Sequence, residues 1–199
     1  MMDFFLRGGP LMYPILLCSV IGWAIFLERS VTYVKVRRSL SPLAITVKNL
    51  LKEDKAVEAL ALCTQEKNPL AKILLVVIKN YGSQRSYLKS LAEEVGEREA
   101  VSLHRYLGLL GTIANISPLL GLLGTVLGMI KAFNVIATKG MGTPATLGGG
   151  ISEALITTAA GLTVAVPLIL LHRYLTSRSE RLVLSLEEAT MQIVDLVEE

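Results

Sequence analysis

The chain has 199 residues, of which 52% are hydrophobic and 19% charged, and its mean hydropathy is +0.53. This composition excludes a disordered chain and is high in apolar residues for a soluble domain. Aromatic residues make up only 6% of the chain, which argues against a membrane β-barrel with aromatic girdles.

The first apolar run, residues 10–28, predicts a membrane-spanning helix. It carries no charge before Glu28 and is just long enough, since about 20 residues cross a ~30 Å hydrocarbon core. A cleaved signal peptide is the competing interpretation, but the run ends at Glu28-Arg29 without a small-residue cleavage site. We therefore expect an uncleaved anchor, preceded by an N-terminal segment, residues 1–9, that lies in the membrane interface.

Residues 29–105 are predicted to form a cytoplasmic helical loop. Proline is favoured in the first turn of a helix and Asp or Asn at the N-cap, which predicts helix starts at Ser41-Pro42, Asp54 and Asn68-Pro69. After a break, the helical pattern resumes at about Ser86, and it can continue directly into the second span.

Two longer apolar stretches predict the second span at 106–137 and the third at 150–172, joined by a short periplasmic loop at 138–149. The second stretch exceeds one bilayer crossing, so its helix is expected to project beyond the membrane. Residues 173–199 repeat apolar side chains at alternating four- and three-residue steps, which predicts a cytoplasmic C-terminal helix suited to helix association. The expected fold is thus an all-α membrane protein with three transmembrane helices and long cytoplasmic helical extensions.

The distribution of Lys and Arg predicts the orientation of the spans. Most basic residues lie in 29–105 and in the tail, whereas the opposite side carries only Arg7 and Lys139. Lys131 lies near a helix end and is expected to snorkel outward. The N-terminus is therefore expected in the periplasm, and the long loop and the C-terminus in the cytoplasm.

Small residues line one face of the second span, where Ser117, Gly121, Gly124 and Gly128 recur at steps of four, three and four. Gly161 belongs to a stripe of the same kind in the third span. Such stripes let helix backbones approach closely, so the two helices are predicted to pack tightly with each other or with a neighbouring copy.

Polar residues and prolines inside the spans suit a pathway for a small charged species: Thr125, Glu153, Thr157, Thr158, Pro118 and Pro167. Polar groups at membrane depth are functional candidates by default, and a proline can leave a carbonyl free for water or an ion. Two alternatives remain open. A threonine hydroxyl can simply bond the carbonyl one turn earlier, and Glu153 can be solvated or cap its helix.

Several kinds of site are disfavoured by the sequence. It has no phosphate loop, nucleophile elbow or HExxH motif, so we expect no enzyme activity and no cofactor. Cys18 and Cys63 lie far apart without metal or redox spacing, which predicts two unpaired thiols and no metal. The basic residues near Lys52 lack interleaved aromatics, so a solvated face near anionic lipid is expected rather than nucleic-acid binding.

The two span motifs resemble a known family. Residues 117–126, SPLLGLLGTV, and 150–162, GISEALITTAAGL, are similar to the second- and third-span signatures of the MotA/TolQ/ExbB proton-channel family, and Glu28-Arg29 also fits. The three-span layout with a large first cytoplasmic loop resembles the ExbB and TolQ branch, whereas flagellar MotA-type stators usually have a fourth span.

The resemblance implies a ring, a homopentamer in the bacterial inner membrane, around a dimer of a single-span partner like ExbD or TolR that carries the titrating aspartate. Thr125 and Thr158 match the family's pore threonines, Glu153 its third-span glutamate, and Pro118 and Pro167 its stator prolines. The implied function is a proton-channel and stator subunit that converts proton motive force into work on a TonB- or TolA-like protein. The alternative is a non-conducting membrane scaffold that recruits partners through its cytoplasmic helices.

Overall fold

A computed structural model describes residues 8–139 and 144–197 of the chain. The predicted interfacial segment 1–9 and periplasmic loop 138–149 therefore lie partly outside the described residues. The described ranges contain helices and no strand. In chain order the helices are α1 (Met12–Lys52), α2 (Ala56–Gln65), α3 (Pro69–Lys79), α4 (Arg85–His104), α5 (Leu107–Lys139) and α6 (Pro144–Val197).

Three stretches of helix, in α1, α5 and α6, are long and apolar enough to cross a membrane. Many of their large apolar side chains are exposed in the single chain, as expected for surfaces that face lipid or other helices. The expectation of an all-α membrane protein with three spanning helices is therefore confirmed.

The chain divides into two compact units. The span unit comprises the segment that ends at Leu27 together with Tyr106–Tyr174, and the loop unit comprises Glu28–Arg105 together with the segment that begins at Leu175. Each unit has its own buried side chains.

The core of the loop unit is built around α3, which packs against α2 and α4. The largest of its most deeply buried side chains come from α1, α3, α4 and the part of α6 after Tyr174: Val47, Leu70, Ile73, Leu74, Val77, Leu88, Leu175, Ile193 and Val194. Asn68 caps α3 as predicted, because its Oδ1 accepts a hydrogen bond from the Leu70 N–H at 3.0 Å. Its Nδ2 donates to the Ser39 hydroxyl at 2.7 Å, which joins the start of α3 to α1.

One predicted helix start and one predicted N-cap are wrong, although the helix expected after Asp54 does form. Pro42 lies inside α1 rather than at the beginning of a helix, because buried Leu43 and Val47 continue one packed face past it and offset the lost backbone bond. Asp54 does not cap α2. It lies in the left-handed region with φ 55°, and the N-cap of α2 is Lys55, whose side chain makes no capping bond.

The helix that precedes the second span does not run straight into it. Helix α4 ends at His104, and Tyr106 takes a φ of 66°, which is uncommon for a residue with a side chain. The end of α4 is held within the loop unit by side chains of α1: the Tyr33 hydroxyl donates to the Leu103 carbonyl at 2.8 Å, and Arg29 donates to the Ser102 carbonyl at 3.3 Å.

Candidate functional site

The backbones of α5 and α6 lie in direct contact through their small residues. A Cβ built on Gly161 would lie 2.7 Å from the Ser117 carbonyl oxygen, and one built on Gly121 would lie 3.1 Å from the Cα of Thr158. Side chains at these two positions would force the helices apart. The close approach therefore depends on glycine at both contacts.

The two threonines singled out for the pore make different hydrogen bonds. The Thr158 hydroxyl donates to the Gly121 carbonyl at 3.0 Å and so bridges α6 to α5. The Thr125 hydroxyl donates at 2.6 Å to the Leu122 carbonyl of its own helix, which is the local back-bonding alternative. Both side chains are half-buried, and each hydroxyl oxygen keeps acceptor capacity.

Thr157 occupies a different environment from its neighbour Thr158. It is buried, and its methyl and hydroxyl groups lie against Gly124, where an added Cβ would be 2.5 Å from the Thr157 Cγ2. Its hydroxyl oxygen is 2.7 Å from the Gly8 carbonyl and 2.8 Å from the Glu153 carbonyl. The single hydroxyl proton can go to either oxygen, so Thr157 connects the segment before α1 to α6.

Glu153 forms an ion pair with Lys131, with 2.7 Å between the Glu153 carboxylate and the Lys131 Nζ. The carboxylate side chain is only 20% exposed, whereas the lysine is 67% exposed. Helix α6 begins at Pro144, so Glu153 lies well inside the helix and does not cap it. Lys131 lies on α5 and pairs across to α6 rather than only snorkelling outward.

The ion pair borders a small cavity of about 180 Å³ in the span unit. Polar groups from Lys131, Glu153 and Thr157 line it together with Gly8 and Gly124. A cavity of this size has room for several water molecules, for which the Lys131–Glu153 pair and the Thr157 hydroxyl provide partners on a wall that is otherwise mostly apolar. The structure thus brings Glu153 and Thr157 together around one space, while Thr158 contacts Gly121 on the helix interface.

The remaining candidates shape the helices. Pro118 lies inside α5 and Pro167 inside α6, and each lacks the N–H that would bond the carbonyl four residues earlier. Gly128 lies at the other end of the glycine stripe, where a Cβ would be 2.8 Å from the Gly150 carbonyl oxygen. The stripe from Ser117 to Gly128 therefore contacts α6 along several turns.

Sequence reasoning missed two partners at this site, the Lys131 ammonium and the Gly8 carbonyl. The first was detectable, because Lys131 and Glu153 are opposite charges placed towards the linked ends of two consecutive helices. The second carries no sequence signal, because any residue has a carbonyl.

The structure offers little for metal or thiol chemistry. No group of three or more His, Cys, Asp or Glu side chains that could hold a metal ion occurs within 8–139 and 144–197. Cys18 and Cys63 are both free. Burial, with a smaller contribution from the Glu66 carboxylate, raises the pKa of Cys63 to about 11, which makes this thiol a poor nucleophile.

Comparison with known proteins gives one family match. The model of the MotA/TolQ/ExbB proton channel family matches residues 65–188. A putative biopolymer transport protein ExbB homolog of Methanothermobacter thermautotrophicus is 34% identical over 178 residues, which cover 89% of this chain and 63% of that protein. A putative biopolymer transport protein, ExbB-like 3, of Synechocystis is 30% identical over 191 residues, which cover 94% of this chain and 90% of that protein.

A third relative comes from the Tol system. The Tol-Pal system protein TolQ of Pseudomonas aeruginosa is 42% identical over 86 residues, which cover 43% of this chain and 37% of that protein. The chain thus spans less than two thirds of the length of the Methanothermobacter and Pseudomonas relatives and most of the Synechocystis protein.

Proposed function

Since the chain belongs to the ExbB/TolQ branch of the MotA/TolQ/ExbB proton channel family, we propose that it is the proton-channel and stator subunit of an inner-membrane energy-transducing complex. Members of this family are transport-associated membrane proteins and not enzymes, as the sequence predicts. The subunit would convert proton motive force into work on a TonB- or TolA-like protein, with its N-terminus in the periplasm and its C-terminus in the cytoplasm.

The observation that carries this proposal is the Thr158 hydroxyl on the α5–α6 contact, 3.0 Å from the Gly121 carbonyl. It bridges two helices that glycine lets approach closely, instead of bonding only within its own turn. A half-buried hydroxyl at this position keeps an acceptor oxygen for a protonated carboxyl group or for water. Thr125, one helix away, supplies a second oxygen of the same kind.

In the proposed mechanism, five copies surround a dimer of an ExbD/TolR-like single-span protein that carries a titrating aspartate. An ionised aspartate at the membrane centre costs at least ~2.5 kcal/mol, so it would draw the protons of the two threonine hydroxyls away from the Leu122 and Gly121 carbonyls and stay against them until a proton neutralises it. Each charge that crosses 100 mV contributes about 2.3 kcal/mol, so several protons are needed for a large mechanical step. Because five copies surround two aspartates, the two aspartates cannot both face equivalent threonine hydroxyls at the same time. This difference favours stepwise rotation.

A non-conducting scaffold is the second candidate, and one observation favours it. The Thr125 hydroxyl donates to its own helix and the Thr158 hydroxyl to the neighbouring helix, so both protons are already used inside the chain. Hydroxyls with purely structural roles would form the same hydrogen bonds. The two candidates therefore differ in what happens when a hydroxyl is removed.

The test is proton-motive-force-driven activity of Thr158→Val, co-expressed with its single-span partner. The matched control is Thr163→Val on the same helix, because the Thr163 hydroxyl is exposed and bonds only the Ala159 carbonyl at 2.7 Å. We expect Thr158→Val to assemble a complex of normal size on a native gel and to lose activity, while Thr163→Val keeps it. Normal activity of Thr158→Val, with a stability loss of only ~1 kcal/mol, would refute the pore role and favour the scaffold.

A further inference from the structure

The loop unit contains a groove of about 620 Å³ that no residue described in the chain fills. One wall is α4, the other is the part of α6 from Val183 to Met191, and Ile73 of α3 lies at the floor. All three elements belong to the loop unit. The volume falls within the ~300–1,000 Å³ typical of sites that hold a ligand or a few side chains.

The α4 wall of the groove includes a row of small residues. Ala92, Gly96 and Ala100 line it at four-residue steps, and a Cβ added to Gly96 would meet only the Ile73 Cδ1 at 4.0 Å. Open space above a helical glycine means that another backbone can approach α4 closely here. The shape therefore suits a helix laid along the groove.

The rim of the groove is acidic. Among its lining residues, four carry negative charge and one positive: Glu93, Glu97, Glu187, Glu188 and Lys89. Lys89 is already 3.7 Å from the Glu93 carboxylate on the same helix. The rim thus has a net negative charge, and an occupant with a basic edge would be attracted to it.

A buried hydroxyl in the same groove also lacks a partner. Thr190 is 4% exposed, and its Oγ1 forms no hydrogen bond with the described residues. Most threonines elsewhere in the helices bond a carbonyl one turn earlier, as Thr64 does to Leu60. A polar group from an occupant would remove the cost of leaving this hydroxyl unpaired.

The chain itself carries a surface that complements the groove, on the cytoplasmic-side part of α1. One face of this part is buried in the loop unit through Tyr33, Leu40 and Val47. The opposite face is exposed and mixes apolar with basic side chains: Val31, Val34, Lys35, Arg38, Ile45 and Lys52. Val34 is 50% and Ile45 60% exposed, although both are apolar.

We propose that the groove of one copy holds the Val34–Ile45 face of α1 from a second copy, with Arg38 of that face against the acidic rim. The depths match, because Glu97 lies roughly 12 Å along α4 from the end of the loop unit at Arg105, and Arg38 roughly 15 Å along α1 from its beginning at Glu28. Copies in a ring around an axis along the membrane normal share the same depth, so this part of α1 is the one that reaches the groove.

The groove and the α1 face are different surfaces of one chain, so their contact is heterologous. A contact of this type repeats head to tail and produces a ring when the rotation closes. The inference therefore rests on the homo-oligomer in the proposed function and adds to it the surfaces that join neighbouring copies in the cytoplasm.

Disulfide cross-linking in native membranes tests this contact. In a Cys18→Ser/Cys63→Ala background, the chain would carry Arg38→Cys together with Gly96→Cys and be treated with a mild oxidant. We expect a ladder of cross-linked multimers, because Cys residues bridge only when their Cα atoms lie about 4.4–6.8 Å apart. The matched control replaces Gly96→Cys by Arg98→Cys, since Arg98 is exposed and pairs with Glu94 on its own helix. Each single-Cys chain should give no ladder.

The outcomes separate this contact from the wider proposal. No ladder from a complex that still runs at multi-copy size would overturn the docking surface and leave the proposed function intact. A chain that is monomeric in the presence of its partner would overturn both. Cross-linking of Gly96→Cys to a cysteine introduced into the single-span partner, without a ladder, would overturn docking of a second copy and place the partner in the groove.

A second variant tests the groove without cysteines. Gly96→Met extends a long side chain into the groove from a Cβ that meets only the Ile73 Cδ1 at 4.0 Å, whereas Gly96→Ala adds only one methyl group. We expect Gly96→Met to lower the yield of the multi-copy complex several-fold and Gly96→Ala to leave it unchanged. An unchanged yield for Gly96→Met would contradict the docking of a helix in this groove.

Discussion

Removing Lys131 is expected to harm the span unit more than removing its partner Glu153. Lys131→Met leaves a carboxylate that is four-fifths covered by protein and has lost its counter-charge. Glu153→Gln leaves a lysine that is two-thirds exposed, whose flexible stem can carry the ammonium elsewhere. The two variants break the same 2.7 Å ion pair but leave groups that the chain covers to very different extents.

The burial of each side chain sets the expected magnitudes. Breaking a buried pair by removing one partner costs about 3–5 kcal/mol, whereas exposed pairs contribute about 0.2–1 kcal/mol. Lys131→Met is closer to the case of a broken buried pair, so we expect the free energy of unfolding to fall by about 2–3 kcal/mol. Glu153→Gln is closer to the case of an exposed pair, so the expected loss is about 1 kcal/mol or less. The double variant removes both charges and should resemble Glu153→Gln, so the two losses are strongly non-additive.

The measurement is the free energy of unfolding of each purified variant complex, obtained from SDS titration in mixed micelles. The single variants and the double variant form a double-mutant cycle, from which a coupling of about 2–3 kcal/mol is expected, because the double variant should cost no more than Glu153→Gln alone. Equal losses for Lys131→Met and Glu153→Gln, or losses that simply add in the double variant, would refute the argument that the covered carboxylate needs the ammonium.

Two further predictions concern a glycine contact and a buried thiol. Gly161→Ala should lower the unfolding free energy by about 1–3 kcal/mol in the same titration, since its Cβ would lie 2.7 Å from the Ser117 carbonyl, whereas Gly108→Ala meets nothing within 4 Å and should not. Equal effects would contradict the close contact. In a Cys18→Ser background, Cys63 should be alkylated about a hundredfold more slowly at pH 8 in the folded chain than after unfolding, because its folded pKa of about 11 lies well above the ordinary value of 9.0. A raised pKa favours the protonated thiol in the folded state. The protonated thiol therefore contributes its whole share of folding stability below pH 9, and this contribution is lost as the pH rises towards 11. Alkylation at the same rate in both states would contradict it.

The spans and the start of α3 were predictable because they depend on local information. An apolar run of sufficient length identifies a membrane helix without knowledge of its neighbours. Asn68 followed by Pro69 also acts locally, since the side chain bonds the backbone two residues later. The glycine stripe predicted a close helix contact, although it did not indicate which residues of α6 would contact the stripe.

The features that sequence reasoning missed depend on tertiary packing. Pro42 normally marks a helix boundary, but burial of Leu43 and Val47 keeps α1 continuous through it. Tyr106 takes a left-handed conformation that propensities reserve mostly for Gly, Asn and Asp. Lys131 and Glu153 are visible in the sequence as opposite charges near the linked ends of two helices, but whether they meet depends on the register of α5 against α6.

The bonds from α1 to the end of α4 have a consequence for how such chains can vary. Tyr33 and Arg29 reach Leu103 and Ser102 across 70 and 73 residues of sequence, so the segment between α1 and the end of α4 leaves and returns at neighbouring points. Closing a longer loop costs only about 0.6 kcal/mol for each doubling of its length. Residues inserted between the two ends joined by these bonds would therefore leave the distance between α1 and the end of α4 unchanged. The length of this segment can thus change without affecting the rest of the chain.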